Sequence, residues 1–389
     1  MTTKELDNKY IMHTYGRYDV ALVSGSGVTA FDEDGKKYID VSSGIGVNSL
    51  GYCNEGWVEA VTEQASTIQH MSNYFYSPQA STLAEKLCTL TGMAKVCFGN
   101  SGAEANECAI KIARKYSFDK YGEGRNEIIT LRNSFHGRTV TTLSATGQDV
   151  FHNYFFPFTE GFSYVEAGDM TVFENAVSDK TCAVMLELIQ GEGGVNIMDA
   201  DYAKALFDYC SKRDILVIVD EVQTGVGRTG KLFAFQNYGV SPELVTAAKG
   251  LGGGLPIGVC LCNGKLGGVM TPSTHGTTFG ANPVVCAGAN YVIDTVSKED
   301  FLGEVEAKGA YLEGLLRELP EVKNVRRMGL MVGIEIDGDA HDIAAKCVEN
   351  GLLIITAKDV LRMLPPLVIT REELAQAVSI LKSTLKECK

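Results

Sequence analysis

Two hydrophobic periodicities alternate through the middle of the chain. Short, nearly continuous apolar runs, many of them β-branched, stand at AKVCF (94–98), NEIITL (126–131), TCAVMLELI (181–189), DILVIVD (214–220) and ELVTAA (243–248). Between them lie amphipathic stretches with helical spacing, such as 103–122 and 200–214. A strand that is apolar on both faces has no solvent side, so the alternation predicts an α/β fold whose mostly parallel sheet is covered by helices on both faces.

The pattern changes after residue 290. Residues 296–320 read as a helix closed by Pro320, followed by MVGIEID, HDIAAKCVENG, LLIIT and a last helix from Arg371. A chain of 389 residues exceeds what one small core serves. The expected division is a large domain over 51–290 and a smaller α+β domain over 291–389. Residues 1–50, with a hairpin at 28–41 turning on Asp34-Gly35, are expected to pack with the smaller one.

Composition narrows the partners. A formal charge of −13 leaves no basic face for nucleic acid or an anionic membrane, and no apolar run reaches the roughly 18 residues of a membrane span. Residues 1–17 carry neither a signal peptide's apolar stretch nor an Arg-rich transit pattern, so a cytoplasmic protein is expected. Eleven Cys without CxxC pairs read as reduced thiols packed as small hydrophobes, and six His without HxH or HExxH spacing give no expectation of a metal.

Candidate chemistry begins at Asp220, which ends DILVIVD. In open α/β sheets ligands bind beyond the carboxyl ends of strands, although a lone Asp there also serves as a helix cap. The loop DEVQTGVGRTG (220–230) contains a GxGxxG at Gly225–Gly230 and, through Lys231, nearly a phosphate-loop pattern. Leu232 replaces the Ser or Thr that magnesium requires, and the glycines do not come directly off the strand, so both nucleotide readings fail. Lys249 follows ELVTAA and precedes a Gly-rich turn. A desolvated Lys has a lowered pKa and attacks carbonyls, whereas a solvated one is only a surface charge. It lies 29 residues after Asp220 (249 − 220), enough for one connection and one strand, so both can face one pocket. Ser101, Gly102 and Ala103 open a helix whose positive end suits a phosphate, or else Ser101 is a plain N-cap. The loop THGTTFGANP (274–283) is a second hydroxyl-rich donor.

GNSGAEANE, SFHGRT, DEVQTGVGRTG, AAKGLGGGLPIG, HGTTFGANP and VLRMLPPLVIT occur in that order. Together they resemble the class III (ω-amino-acid) aminotransferases, enzymes of the pyridoxal-5′-phosphate (PLP) fold type I, from about Tyr15 to the C-terminus. The resemblance implies that Lys249 carries PLP and that Asp220 pairs with its ring nitrogen. It places Gln223 near the phenolic oxygen, Phe135 on the ring face, and Ser101, Gly102 and Ala103 at the phosphate. Thr278 would reach the phosphate of a neighbouring subunit, implying a homodimer with shared sites. For amino-acid and 2-oxo-acid substrates, Arg138 and Arg362 would grip carboxylates, Glu192 would neutralise Arg362 when it is not needed, and Tyr15 would assist. An aminomutase on the same fold would use the same Lys and Asp. The chain departs from the family at Leu188, where Pro usually follows Glu, at Tyr52, Asn54 and Glu55, where His-x-His-Pro is frequent, and at Ala281, where Gly is common.

Overall fold

In the computed structural model, which describes residues 1–388, the apolar runs form the centre of a seven-stranded sheet. Its order is Lys95–Gly99, Gly258–Cys262, Leu244–Ala247, Leu216–Asp220, Thr181–Leu186, Glu127–Leu131 and Phe162–Val165. Gly258–Cys262 runs antiparallel to both its neighbours; the other pairings are parallel. The middle strands are buried at every position, which is why they lack an alternating pattern. Helices Gly102–Tyr121 and Ala200–Lys212 bury their apolar stripes against this sheet.

Two smaller sheets flank it. Val322–Met328, Met331–Ile336, Val360–Met363 and Ile355–Ala357 form an antiparallel sheet, backed by helices Glu299–Arg317, Ala340–Glu349 and Arg371–Glu387. Thr29–Asp32 and Lys37–Asp40 make the expected hairpin, and the second of these strands pairs in parallel with Leu352–Leu353. LLIIT therefore divides between two sheets rather than forming one strand.

A second difference has a functional reason. The run 181–189 stops as a strand at Leu186, because the next carboxylate turns inward: Glu187 accepts hydrogen bonds from the backbone N–H of Phe135 (2.8 Å) and of Gly191 (3.2 Å). Chain direction resumes in the short pair Ile189–Gln190 and Asn196–Ile197. Among the described residues, no helix is long and apolar enough to cross a membrane.

Candidate active site

Asp220 closes its strand and Lys249 opens the turn after the adjacent parallel strand, so both side chains meet at the carboxyl end of the sheet. They line one cavity of about 490 Å³ with Asn100, Ser101, Gly102, Ala103, Asn106, Phe135, His136, Arg138, Glu187 and Gln223. That volume suits a cofactor of a few hundred daltons with a small substrate.

Lys249 adopts φ 43°, a left-handed conformation costly for a residue with a Cβ, and such strain concentrates where position matters more than stability. Burial pushes its amine below the ordinary lysine range, against the opposing pull of Glu192 and Asp220. A larger fraction of the amine is therefore unprotonated and nucleophilic than for a surface lysine.

Asp220 is held on three sides. Its Oδ2 accepts from Asn106 Nδ2 at 2.7 Å and from His136 Nδ1 at 2.8 Å, and its Oδ1 accepts from the backbone N–H of Val222 at 3.0 Å. A carboxylate only accepts, so Nδ1 of His136 carries the ring proton. Asn106 is fixed in turn: it donates to the His136 carbonyl at 2.7 Å, and Thr246 donates to its Oδ1 at 2.6 Å. Sequence reasoning missed both residues. The signals were the His within SFHGRT and the Asn that interrupts an otherwise apolar helix face.

Glu187 was missed as well. It lies behind Phe135 and Asp220, and burial, reinforced by the Asp220 charge, pushes its carboxyl well above the usual carboxylate range. Through its two backbone contacts it ties the Phe135 loop to the Gly191–Glu192 loop.

The second charged group is an ion pair. Arg362, on the strand Val360–Met363, is buried and donates to both carboxylate oxygens of Glu192, at 2.8 and 3.2 Å, and to Oε1 of Gln223 at 3.0 Å. Gln223 Nε2 also donates to Glu192 at 3.3 Å. Burial works to raise the Glu192 carboxyl, yet the Arg362 guanidinium outweighs it and holds the group below its ordinary range. Gly191 makes this triangle possible, since a Cβ there would stand 2.1 Å from Gln223 Oε1. Arg138, exposed at the rim, stacks over Phe151 at 4.0 Å and has no acidic partner among the described residues.

At the opposite wall Ser101 caps the helix Gly102–Tyr121, accepting from the Glu104 N–H at 3.2 Å. Strand residue Gly258 passes so close that a Cβ would meet the Ser101 carbonyl at 2.0 Å. Thr277 is tied to this wall by Asn100 Nδ2 at 3.0 Å, whereas Thr278 is exposed and lies outside the cavity. Tyr15 is not brought to the site. It is 76% exposed and lines a separate hollow with Lys4, Asp7 and Arg17, because the N-terminal segment lies along the hairpin side.

The loop that resembled a nucleotide motif is built for another purpose. Gly225–Gly230 packs against the C-terminal segments, and Arg228 donates to the carbonyls of Leu330 (3.1 Å) and Pro365 (2.6 Å). Two of the family departures are structural: Tyr52 donates to Asp40 at 2.7 Å, and Asn54 caps helix Glu55–Thr67. Ala281 sits at φ 65°, which is why Gly suits that position better.

An amine, a carboxylate, an aromatic face and a helix N-terminus on separate walls form a donor set that fits PLP. A family model described as Aminotransferase class-III matches residues 10–385. An acetylornithine aminotransferase of Haemophilus ducreyi is 50% identical over 387 residues, covering 99% of this chain and 98% of its own. One from Caldanaerobacter subterraneus is 47% identical, with 98% of each chain covered. Among solved structures, N-acetylornithine aminotransferase from Stenotrophomonas maltophilia superposes with a TM-score of 0.86 at 34% identity, covering 99% of this chain and 98% of that one. Ornithine aminotransferase from Toxoplasma gondii gives 0.94 at 32% identity, covering 100% and 96%.

Proposed function

The chain belongs to the class III aminotransferases, and from that membership we propose that it moves the δ-amino group of N-acetylornithine to 2-oxoglutarate, giving N-acetylglutamate 5-semialdehyde and glutamate, a step of arginine biosynthesis. Its cofactor is PLP. The observation that carries the reading is the closed Glu192–Arg362 pair, joined to the cavity wall through Gln223 and near enough to Lys249 for both charges to act on its amine. The choice of the acetylated substrate is supported by the 42–50% identity to curated acetylornithine aminotransferases, above the 30–33% to solved ornithine aminotransferases.

PLP, when bound, supplies an electron sink that draws the electron pair from the amine-bearing carbon of the substrate. Lys249 would attach it and, once free, would take the proton from that carbon and deliver it to the cofactor, a task suited to an amine whose pKa burial has lowered. Asp220 would keep the ring nitrogen protonated, and Asn106 and His136 hold its Oδ2 in place for that. Ser101, Gly102, Ala103, Phe135 and Gln223 all line the cavity; the first three would hold the phosphate at the helix N-terminus, Phe135 would cover the ring and Gln223 would lie towards the phenolic oxygen.

Charge decides which substrate is held. With the pair closed, Glu192 neutralises Arg362 and Arg138 grips the far carboxylate of an ω-amine. When 2-oxoglutarate enters, Glu192 withdraws and Arg362 takes the α-carboxylate while Arg138 takes the other. Thr278 and the exposed Tyr74, Tyr76 and Phe279, which are 95%, 99% and 62% accessible, support a homodimer in which Thr278 would complete the neighbouring phosphate site.

A steady-state comparison of N-acetylornithine, ornithine, 4-aminobutyrate, N-succinylornithine and N-succinyl-diaminopimelate as donors to 2-oxoglutarate tests the assignment. N-Acetylornithine is expected to give the highest kcat/KM, and a clear preference for any other donor rejects it. An aminomutase would turn over without 2-oxoglutarate.

A further inference from the structure

Away from the cavity, three distant segments bring Cys97, Cys108 and His275 together, with their sulfur and ring-nitrogen atoms all within 4.8 Å of one another. Cys97 lies on the strand Lys95–Gly99, Cys108 on the helix Gly102–Tyr121, and His275 on the loop that carries Thr278. Cys260, the register partner of Cys97 on the neighbouring strand, interacts with the Cys108 thiol. Register pairs Asp220 with Thr246, Thr246 with Cys260 and Cys260 with Cys97, so the cluster lies on the same face of the sheet as Asp220 but three strands away, at the sheet edge. Cys108 is buried while Cys97 and His275 keep partial access to solvent, which leaves an entry path.

We propose that Cys97, Cys108 and His275 form a binding site for a thiophilic divalent cation, zinc. Two sulfurs and one imidazole nitrogen are the ligand types that favour zinc over magnesium or calcium. Zinc–sulfur arms of about 2.3 Å in tetrahedral geometry need a sulfur–sulfur spacing of about 3.8 Å, so the observed atoms close by no more than about 1 Å. The fourth position falls to water. The chemistry balances: both thiols lose their protons to solvent, two thiolates cancel the cation's charge, and His275 binds neutral. One contact opposes entry. Lys111 Nζ lies 3.0 Å from His275 Nδ1 and 2.9 Å from the Thr274 carbonyl, and coordination through Nδ1 displaces it from the ring. Occupancy would pin the 274–283 loop to the helix that opens the cofactor cavity. The site stands on geometry alone and does not depend on the substrate proposed above.

The test uses the PLP-loaded holoenzyme, stripped with a chelator, desalted and titrated with zinc chloride. Bound metal is counted by elemental mass spectrometry, and proton release by calorimetry in two buffers of different ionisation heat. About one zinc per chain with about two protons released is expected. Cys97→Ser and His275→Ala are each expected to weaken binding at least tenfold while the circular dichroism and cofactor absorbance stay unchanged. His275 is on a part-exposed loop, so its variant tests the site without disturbing the sheet. Serine at Cys53 and Cys388, the two exposed thiols, is expected to change nothing. The proposal is overturned if the wild-type chain retains no zinc, if His275→Ala binds it as tightly, or if the Cys53 or Cys388 variant abolishes binding.

Discussion

The loop 220–230 separates two sets of buried charge that are solved in opposite ways. On the cavity side Arg362 is answered by Glu192, a side chain 29% exposed that can swing away. On the far side Glu221 and Arg228 are answered mostly by backbone: Glu221 accepts from the N–H groups of Ala234 (2.9 Å) and Phe235 (2.8 Å), besides the Thr224 hydroxyl, and Arg228 donates to two carbonyls. Backbone partners cannot leave, so the second set is a strut. A partner on a part-exposed side chain leaves the first set free to act as the switch proposed above. The difference lies in who neutralises the charge rather than in depth, since Arg362 and Arg228 are both 2% exposed.

The contrast can be broken from the strut side first. Arg228→Met leaves the carbonyls of Leu330 and Pro365 unsatisfied, at roughly 1–3 kcal/mol each, so a stability loss of about 4 kcal/mol is expected in urea unfolding. The folded fraction should keep its kcat within about twofold. A matching loss of activity per folded molecule would erase the distinction.

Glu221 gives the strut a pH signature. Burial raises its carboxyl from 4.5 to about 7, so the folded chain holds a proton that the unfolded chain releases in that window. Stability therefore falls as pH rises from 4.5 through about 7, by up to about 3 kcal/mol. Glu221→Gln should remove about half of that slope, the buried Glu187 carboxyl supplying the rest, and an unchanged slope would assign it to other groups.

On the switch side the effects move to catalysis. Arg362→Met is expected to lower kcat/KM for 2-oxoglutarate about 100-fold, near 2.7 kcal/mol, while the unfolding midpoint stays almost unchanged because Glu192 can turn to water. A large stability loss instead would make this pair a second strut. Glu192→Ala is the smallest change: discrimination between N-acetylornithine and glutamate as amine donors should fall about tenfold. Equal losses in both half-reactions would contradict the gate.

Which parts were readable in the sequence follows from the same physics. The central strands announce themselves because burial on both faces demands unbroken β-branched runs, as in TCAVML and LVIVD. Phe162–Val165, short and only partly buried, and Val322–Met328, with two arginines, carry no such mark. Lys249 and Asp220 stand out because each ends an apolar run, Lys249 also beside small residues. Asn106, His136 and Glu187 were not, since their importance rests on contacts between segments 30 to 114 residues apart. The thiol and imidazole cluster is invisible for the same reason: its ligands share no spacing along the chain. Tyr15, carried over by alignment alone, landed elsewhere.

That the ε-amine of Lys249 is the point of cofactor attachment, facing Asp220 across the cavity, is the claim on which the rest depends. Borohydride reduction of the holoenzyme followed by peptide mass mapping reads it directly. The account predicts one pyridoxyl-phosphate mass on the peptide containing Lys249, and neither that mass nor turnover in Lys249→Ala. A reduced adduct on any other lysine, or a Lys249→Ala chain that still transaminates, would contradict it.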